Sequence, residues 1–310
     1  MSALHRRRTS TRRPLCLLAA CLLSACGGST PKASVAPGDG APGGHGAFTD
    51  ANSVSAVQET LKGLSDVAHV SLAGKGLGPE LGSALAAFAK VSSIVSLDLS
   101  ENELGPDGVE ALVAANFAEL KELDLGGNDI GDDGVSVLSK LRAPKLEILN
   151  LSGNDVSEVG AQSLAQSPTL AGLSALDLTM NPIGAEGASA LSASGAMTQM
   201  KQLFLLGCDI GEEGAQALAS SAGLSPLEQL ALPGNAIGDG GAKAIAGAKQ
   251  LRTLRQLDLS ANDIGDAGAN ALASSASLKS LESLEVLVNP EIGDAARKKL
   301  QQRFGAKLKL

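Results

Sequence analysis

The sequence contains no tryptophan and no tyrosine, and phenylalanine occurs five times in 310 residues. With aromatics at 2% and apolar residues at 44%, a folded core has to be aliphatic, built from Leu, Ile, Val and Ala. Histidine is nearly missing: of His5, His45 and His69, only the last lies outside the N-terminal stretch, so no Cys/His metal cluster can be assembled. Of four cysteines, Cys16, Cys21 and Cys26 sit at the N-terminus, which leaves Cys208 without an internal disulfide partner. Positive charge is also scarce. The formal net charge is −8, and Arg6, Arg7, Arg8, Arg12 and Arg13 lie in a segment expected to be removed. Without them Lys plus Arg falls from 25 to 20 against 33 acidic residues, a formal −13, which argues against nucleic-acid binding.

What is present in abundance is repetition. Leu120 to Leu138 reads L-x-x-L-x-L-x-x-N-x-I-G-x-x-G-x-x-x-L, and near-copies start at Val67, Ile94, Leu120, Leu146, Leu173, Met200, Leu227, Leu254 and Leu281. The starts are 26 or 27 residues apart. A fixed period of this length means a solenoid, in which each unit buries its apolar side against its neighbours. The pattern resembles the leucine-rich repeat family, in the helix-containing form of the ribonuclease-inhibitor type. That resemblance implies an α/β horseshoe over residues 67–310, with parallel strands on the concave side and helices on the convex side, serving as a scaffold for binding.

The spacing predicts the elements of each unit. Glu122-Leu123-Asp124-Leu125-Gly126 alternates as a strand with its leucines inward. Gly134 to about Leu141 carries Val135, Leu138 and Leu141 at helical spacing. The asparagines Asn102, Asn128, Asn154, Asn181, Asn235, Asn262 and Asn289 recur where each strand ends, where an amide can satisfy turning backbone groups. Cys208 and Lys75 stand at the equivalent sites of the sixth and first units; Cys208 reads as a buried structural thiol. In the Ile-Gly-x-x-Gly segments the recurring acids invite a calcium reading, but they fit better as helix caps, and no metal is expected. Gly74-Lys75-Gly76-Leu77-Gly78 belongs to a repeat turn, so no phosphate-binding loop is left.

The N-terminus reads as an address. Arginines precede the short apolar run Leu15–Leu23, too short to span a bilayer, and Leu23-Ser24-Ala25-Cys26-Gly27 follows. This order resembles a bacterial lipoprotein signal, which implies a signal peptide over 1–25 and a Cys26 carrying diacylglycerol and an amide-linked acyl chain such as palmitate. Thr11-Arg12-Arg13 hints at twin-arginine export, but the arginine-rich start fits the general secretory route without it. Gly27, rather than Asp, beside the lipid position points to the outer membrane. Residues 26–47, rich in Gly, Pro, Ser and Ala, read as a flexible linker reaching about 25 Å. Residues 48–66, with Val54, Val57, Leu61 and Leu64 on one face, predict an N-terminal capping helix. At the other end, Asp294–Phe304 predicts a last helix with a basic end, and 306–310 an edge strand whose lysines discourage further pairing. A basic end beside anionic lipid is the second reading of that segment.

Reading the middle strand position unit by unit gives Ser71, Asp98, Asp124, Asn150, Asp177, Phe204, Ala231, Asp258 and Glu285. An acidic ladder is interrupted by an apolar patch of Phe204, Leu206, Ala231 and Pro233, expected to face solvent and to anchor a partner, with Asp98, Asp124 and Asp177 beside it. Filler packing and plain solubilisation are the competing explanations. His69, Ser71 and Asp98 suggest a hydrolase triad, but a shallow sheet lacks an oxyanion hole and a dry pocket. The expectation is therefore a lipid-anchored, monomeric protein-interaction module without cofactor or catalysis. A structural envelope component without a saturable partner is the alternative.

Overall fold

A computed structural model describes residues 54–64, 66–195 and 197–310. The chain divides into two units, Met1–Ala47 and Phe48–Leu310, and every described residue belongs to the second. The signal peptide, Cys26, the linker and positions 48–53 of the expected cap lie outside the described residues. No helix among those described is long and apolar enough to cross a membrane.

The second unit is a single ten-stranded parallel sheet with strands in sequence order. β1 is His69–Ser71, β2 Ser96–Asp98, β3 Glu122–Asp124, β4 Ile148–Asn150 and β5 Ala175–Asp177. They continue as β6 Gln202–Phe204, β7 Gln229–Ala231, β8 Gln256–Asp258, β9 Ser283–Glu285 and a two-residue β10, Leu308–Lys309. The register keeps equivalent positions level, so that Leu97, Leu123 and Leu149 stand side by side. These central leucines are buried, and the residues flanking them are half exposed on the opposite face. Each strand returns through a helix, and successive helices pack on one another. Helices need about 8–10 Å of lateral room and strands about 4.8 Å, so the stack bends with the strands inside. This is the α/β leucine-rich solenoid expected from the period.

The core between the layers is aliphatic. In the third unit Leu120, Leu123, Leu125, Ile130, Val135 and Leu138 are all at most 1% exposed. Phe117, in the loop before β3, is the one large aromatic fully buried among the described residues. The helices begin earlier than the spacing suggests: the third unit's runs Gly131–Leu138, not from Gly134. Gly134 therefore lies inside the helix, where a Cβ would come 2.2 Å from Ile130 Cγ2. At Gly241 an added Cβ would meet Ala215 Cβ of the preceding helix at 2.9 Å. The second glycine of each Ile-Gly-x-x-Gly thus sets close helix approach.

The acids do serve as helix caps, and at several helix starts they act across repeats. Asp132 Oδ1 accepts from the backbone N–H groups of Ser157 (2.8 Å) and Gly160 (2.9 Å) at the start of the next helix. Asp239 does the same for Gly265 and Gly268, and Asp266 for Gly293. Those three helix starts are extended, with φ of −93° at Ser157, −103° at Gly265 and −77° at Gly293. Where the preceding repeat offers Pro, Glu or Ala instead, Gly105, Gly131, Gly184, Gly211 and Gly238 turn left-handed, with φ between 58° and 65°. At the other helix end, Ser221 Oγ donates to Ser192 O (2.6 Å) and Ser275 Oγ to Ala246 O (2.6 Å), again one repeat back.

Terminal elements close the stack. The helix Val54–Lys62 buries Val57 and Leu61 against the first repeat. At the far end Asp294–Phe304 buries Ala296, Leu300 and Phe304. Two basic side chains of this end bond back to the preceding repeat: Arg303 Nη2 of the helix donates to Ser275 O and Lys307 Nζ, just beyond it, to Leu281 O, each at 2.8 Å. The edge strand is shorter than 306–310, and its Lys309 pairs with Glu285 at 2.7 Å.

Candidate functional site

Beneath the sheet's open face runs the asparagine ladder. Asn128 Nδ2 donates to the carbonyls of Leu99 (3.0 Å), Leu125 (2.9 Å) and Gly126 (3.2 Å). Its Oδ1 accepts from Asn102 N and Leu104 N of the preceding unit. Asn102, Asn154, Asn181, Asn235, Asn262 and Asn289 make equivalent links, and all seven are at most 1% exposed. Cys208 interrupts the series. Its thiol donates to Leu178 O (3.1 Å), but Ile183 N turns to Asn181 O (2.7 Å) instead of a ladder side chain. Burial pushes the Cys208 thiol from 9.0 up to about 12, so it stays protonated and poorly nucleophilic.

On the open face the acidic ladder is level, as the register requires, but its carboxylates are engaged. Oδ1 of Asp98, Asp124, Asp177 and Asp258 accepts from the backbone N–H two residues on, at 3.1, 2.9, 2.8 and 2.9 Å. Asn150 makes the same bond through its own Oδ1 (2.8 Å) and donates Nδ2 to Asp124 Oδ1 (3.0 Å). These side chains thus close the end of each strand. Burial raises the pKa of Asp124 and of Asp177 above the ordinary 3.8, with the hydrogen bonds pulling the other way and neighbouring acids adding to the rise.

Phe204 and Ala231 take the next two places, between Asp177 and Asp258. Both are half buried, as is Leu206, so Phe204 meets solvent over part of its surface. Pro233 is buried and drops out of the surface patch. Its effect is indirect: lacking an N–H, it could not close a strand end on an acid at position 231. Beside the patch lies a groove of about 160 Å³ lined by Ser174, Lys201, Gln202, Glu228, Gln229, Arg255 and Gln256. Gln202 Nε2 donates to Gln229 Oε1 at 3.1 Å, and Arg255 pairs with Glu282. The glutamines escaped the sequence reading, although three consecutive strands opening on Gln carried the signal.

The suspected triad does not assemble. Ser71 Oγ donates to Asp98 Oδ2 (3.0 Å), while His69 Nδ1 sits 3.0 Å from Asp66 Oδ2, and all are near the surface. Asp66 is held below the usual carboxylate range, first by that His69 contact and then by Ala68 N–H. Among the described residues no three His, Cys, Asp or Glu side chains converge as a metal site.

Comparison with known proteins agrees with this geometry. The Leucine Rich repeat family matches residues 92–113, 120–139, 142–165, 173–192, 223–246 and 250–273, and the chain carries a leucine-rich repeat domain. Among solved structures, it is similar to a Bacteroides fragilis protein at 17% identity and a TM-score of 0.51, covering 74% of this chain and 69% of that one. A chain of the yeast Rad7–Elc1 complex aligns at 17% identity and a TM-score of 0.46, over 72% of this chain. InlP of Listeria monocytogenes aligns at 18% and 0.38, over 66%. The chain spans 64% of the length of the yeast protein and 57% of the Listeria one. No curated protein matches the chain.

Proposed function

We propose that this protein is a lipid-anchored interaction module of a bacterial envelope, monomeric and non-catalytic, which docks another protein on the open face of its sheet. One observation carries the docking reading: a level row of carboxylates gives way, over two adjacent strands, to Phe204 and Ala231. An aromatic ring left half exposed beside Leu206 and Ala231, with carboxylates on either side, is the feature a partner covers with gain, since apolar area leaves water. The hydrogen-bonded asparagine ladder beneath fixes the backbone of that face, which lowers the ordering cost of binding.

Anchoring and location rest on the sequence: arginines, a short apolar run and Leu23-Ser24-Ala25-Cys26 in order. Two or more acyl chains on Cys26 would hold the protein to a bilayer, each buried CH₂ contributing about 0.8 kcal/mol. Absence of Asp after Cys26 favours the outer membrane. Labelling cells with an alkyne analogue of palmitate tests the anchor: label should appear on the full chain and vanish with Cys26→Ala.

Docking is tested by a photo-reactive side chain at position 204 in intact cells. A single stoichiometric cross-linked partner, lost in the Phe204→Ala and Asp177→Lys double variant during pull-down from solubilised envelope, is expected. No saturable partner would favour a purely structural envelope component.

A further inference from the structure

We infer that the sheet face of β5–β8 takes an extended peptide segment of the form Lys/Arg-x-apolar-x-Lys/Arg, laid across the strands. This rests on the docking reading above and names the chemistry of what docks. The register sets the pattern, because Asp177, Phe204, Ala231 and Asp258 occupy level positions on four consecutive strands. A two-strand apolar slot is thus bracketed by carboxylates. Three strand spacings of about 4.8 Å place the two acids roughly 14 Å apart. An extended chain advances about 3.3 Å per residue and points i, i+2 and i+4 to one side, so i and i+4 lie roughly 13 Å apart. Its i+2 side chain then falls between Phe204 and Ala231. A helix puts i and i+4 only about 6 Å apart along the axis and would need basic residues about eight apart to reach both acids, a spacing that the selection below distinguishes.

The charges are more than turn chemistry. Asn150 closes its strand end through Oδ1 just as the aspartates do, so an amide suffices for that local job. Asp at 177 adds a negative charge that burial disfavours. A cation docked above it would relieve that penalty and supply the complementary charge. Alongside runs the row Gln202, Gln229 and Gln256, whose amides both donate and accept, as main-chain groups of an extended segment require. The apolar slot selects the central side chain, and the glutamines serve any sequence.

Selection from a displayed library of random nonapeptides against the full chain in detergent micelles tests this. Enriched peptides should carry basic residues four apart with an apolar residue midway. A synthetic peptide of the enriched sequence should lose about tenfold in affinity with each of Asp177→Asn, Asp258→Asn and Phe204→Ala. Asn at this position has a native precedent in Asn150, and thermal melts of the variants confirm that they fold. Failure to enrich, enrichment of peptides without that spacing, or affinities unchanged by the three substitutions would overturn the inference. If cross-linking at position 204 still captures a partner in that event, the docking reading stands and only the peptide pattern falls.

Discussion

Val288 is a β-branched residue at φ 56° with 60% of its surface exposed. It stands immediately before a ladder asparagine, where Gly127, Gly153 and Gly234 take the same left-handed turn, as Gly207 does before Cys208. Asn tolerates that region far better, so Val288→Asn is expected to raise stability by about 1 kcal/mol in urea unfolding. Cys208 makes the opposite case, a residue that fits but bonds poorly. Restoring the ladder with Cys208→Asn should return an acceptor to Ile183 N and stabilise by about 1 kcal/mol. In the native chain the thiol should resist a disulfide reagent at neutral pH and react only on unfolding. Asp177 carries a pH signature. Its folded pKa is raised, so the folded state holds the proton more tightly than the unfolded one. The contribution to stability is therefore full below about 3.8 and is lost as pH rises through the folded value. Asp177→Asn should melt higher than the native chain at pH 7, and the difference should close near pH 3.

Among elements, the informative contrast is between the two kinds of helix start. An Asp one repeat back holds an extended start, and otherwise a glycine turns left-handed. Asp132 serves Ser157, which cannot easily adopt the left-handed alternative, whereas Asp239 serves Gly265, which can. Asp132→Ala is expected to cost about 2 kcal/mol and Asp239→Ala about 1 kcal/mol or less, compared by chemical denaturation. Equal costs would mean that the glycine gives no escape. That the acids cap at all was legible in the sequence, from carboxylates beside helix starts. Which helix they cap was not, because the donors lie 25 to 29 residues away. Likewise the pattern x-L-x-L-x announced the strands, but the helix boundary was set by backbone turns that apolar spacing does not record.

For the molecule as a whole, each repeat is stable only against its neighbours, so the ends matter most. Deleting residues 294–310 removes Leu300, Phe304 and the bonds from Arg303 and Lys307 to the last turns. Hydrogen exchange should then show protection lost first in β9 and its flanking turns, while β3–β5 stay protected. The candidate surface follows the same logic of neighbours. Phe204, Ala231 and the aspartates could be placed on one face from the period alone, since a 27-residue shift brings equivalent positions side by side. The burial of Pro233, the engagement of the aspartates and the glutamine groove could not, because they depend on how far each side chain stands out from a curved sheet.

By itself the sequence determined the period, the aliphatic core, the parallel order of strands and the buried amide ladder. All of these follow from repetition, since a residue's neighbours are then its own copies one unit away. Only the tertiary structure decided which groups bond across units and how much of Phe204 meets solvent. Those outcomes depend on departures from the repeat (Ser157 for Gly, Cys208 for Asn, Pro233 for a residue with an N–H), and a departure has meaning only against the neighbours it meets in space.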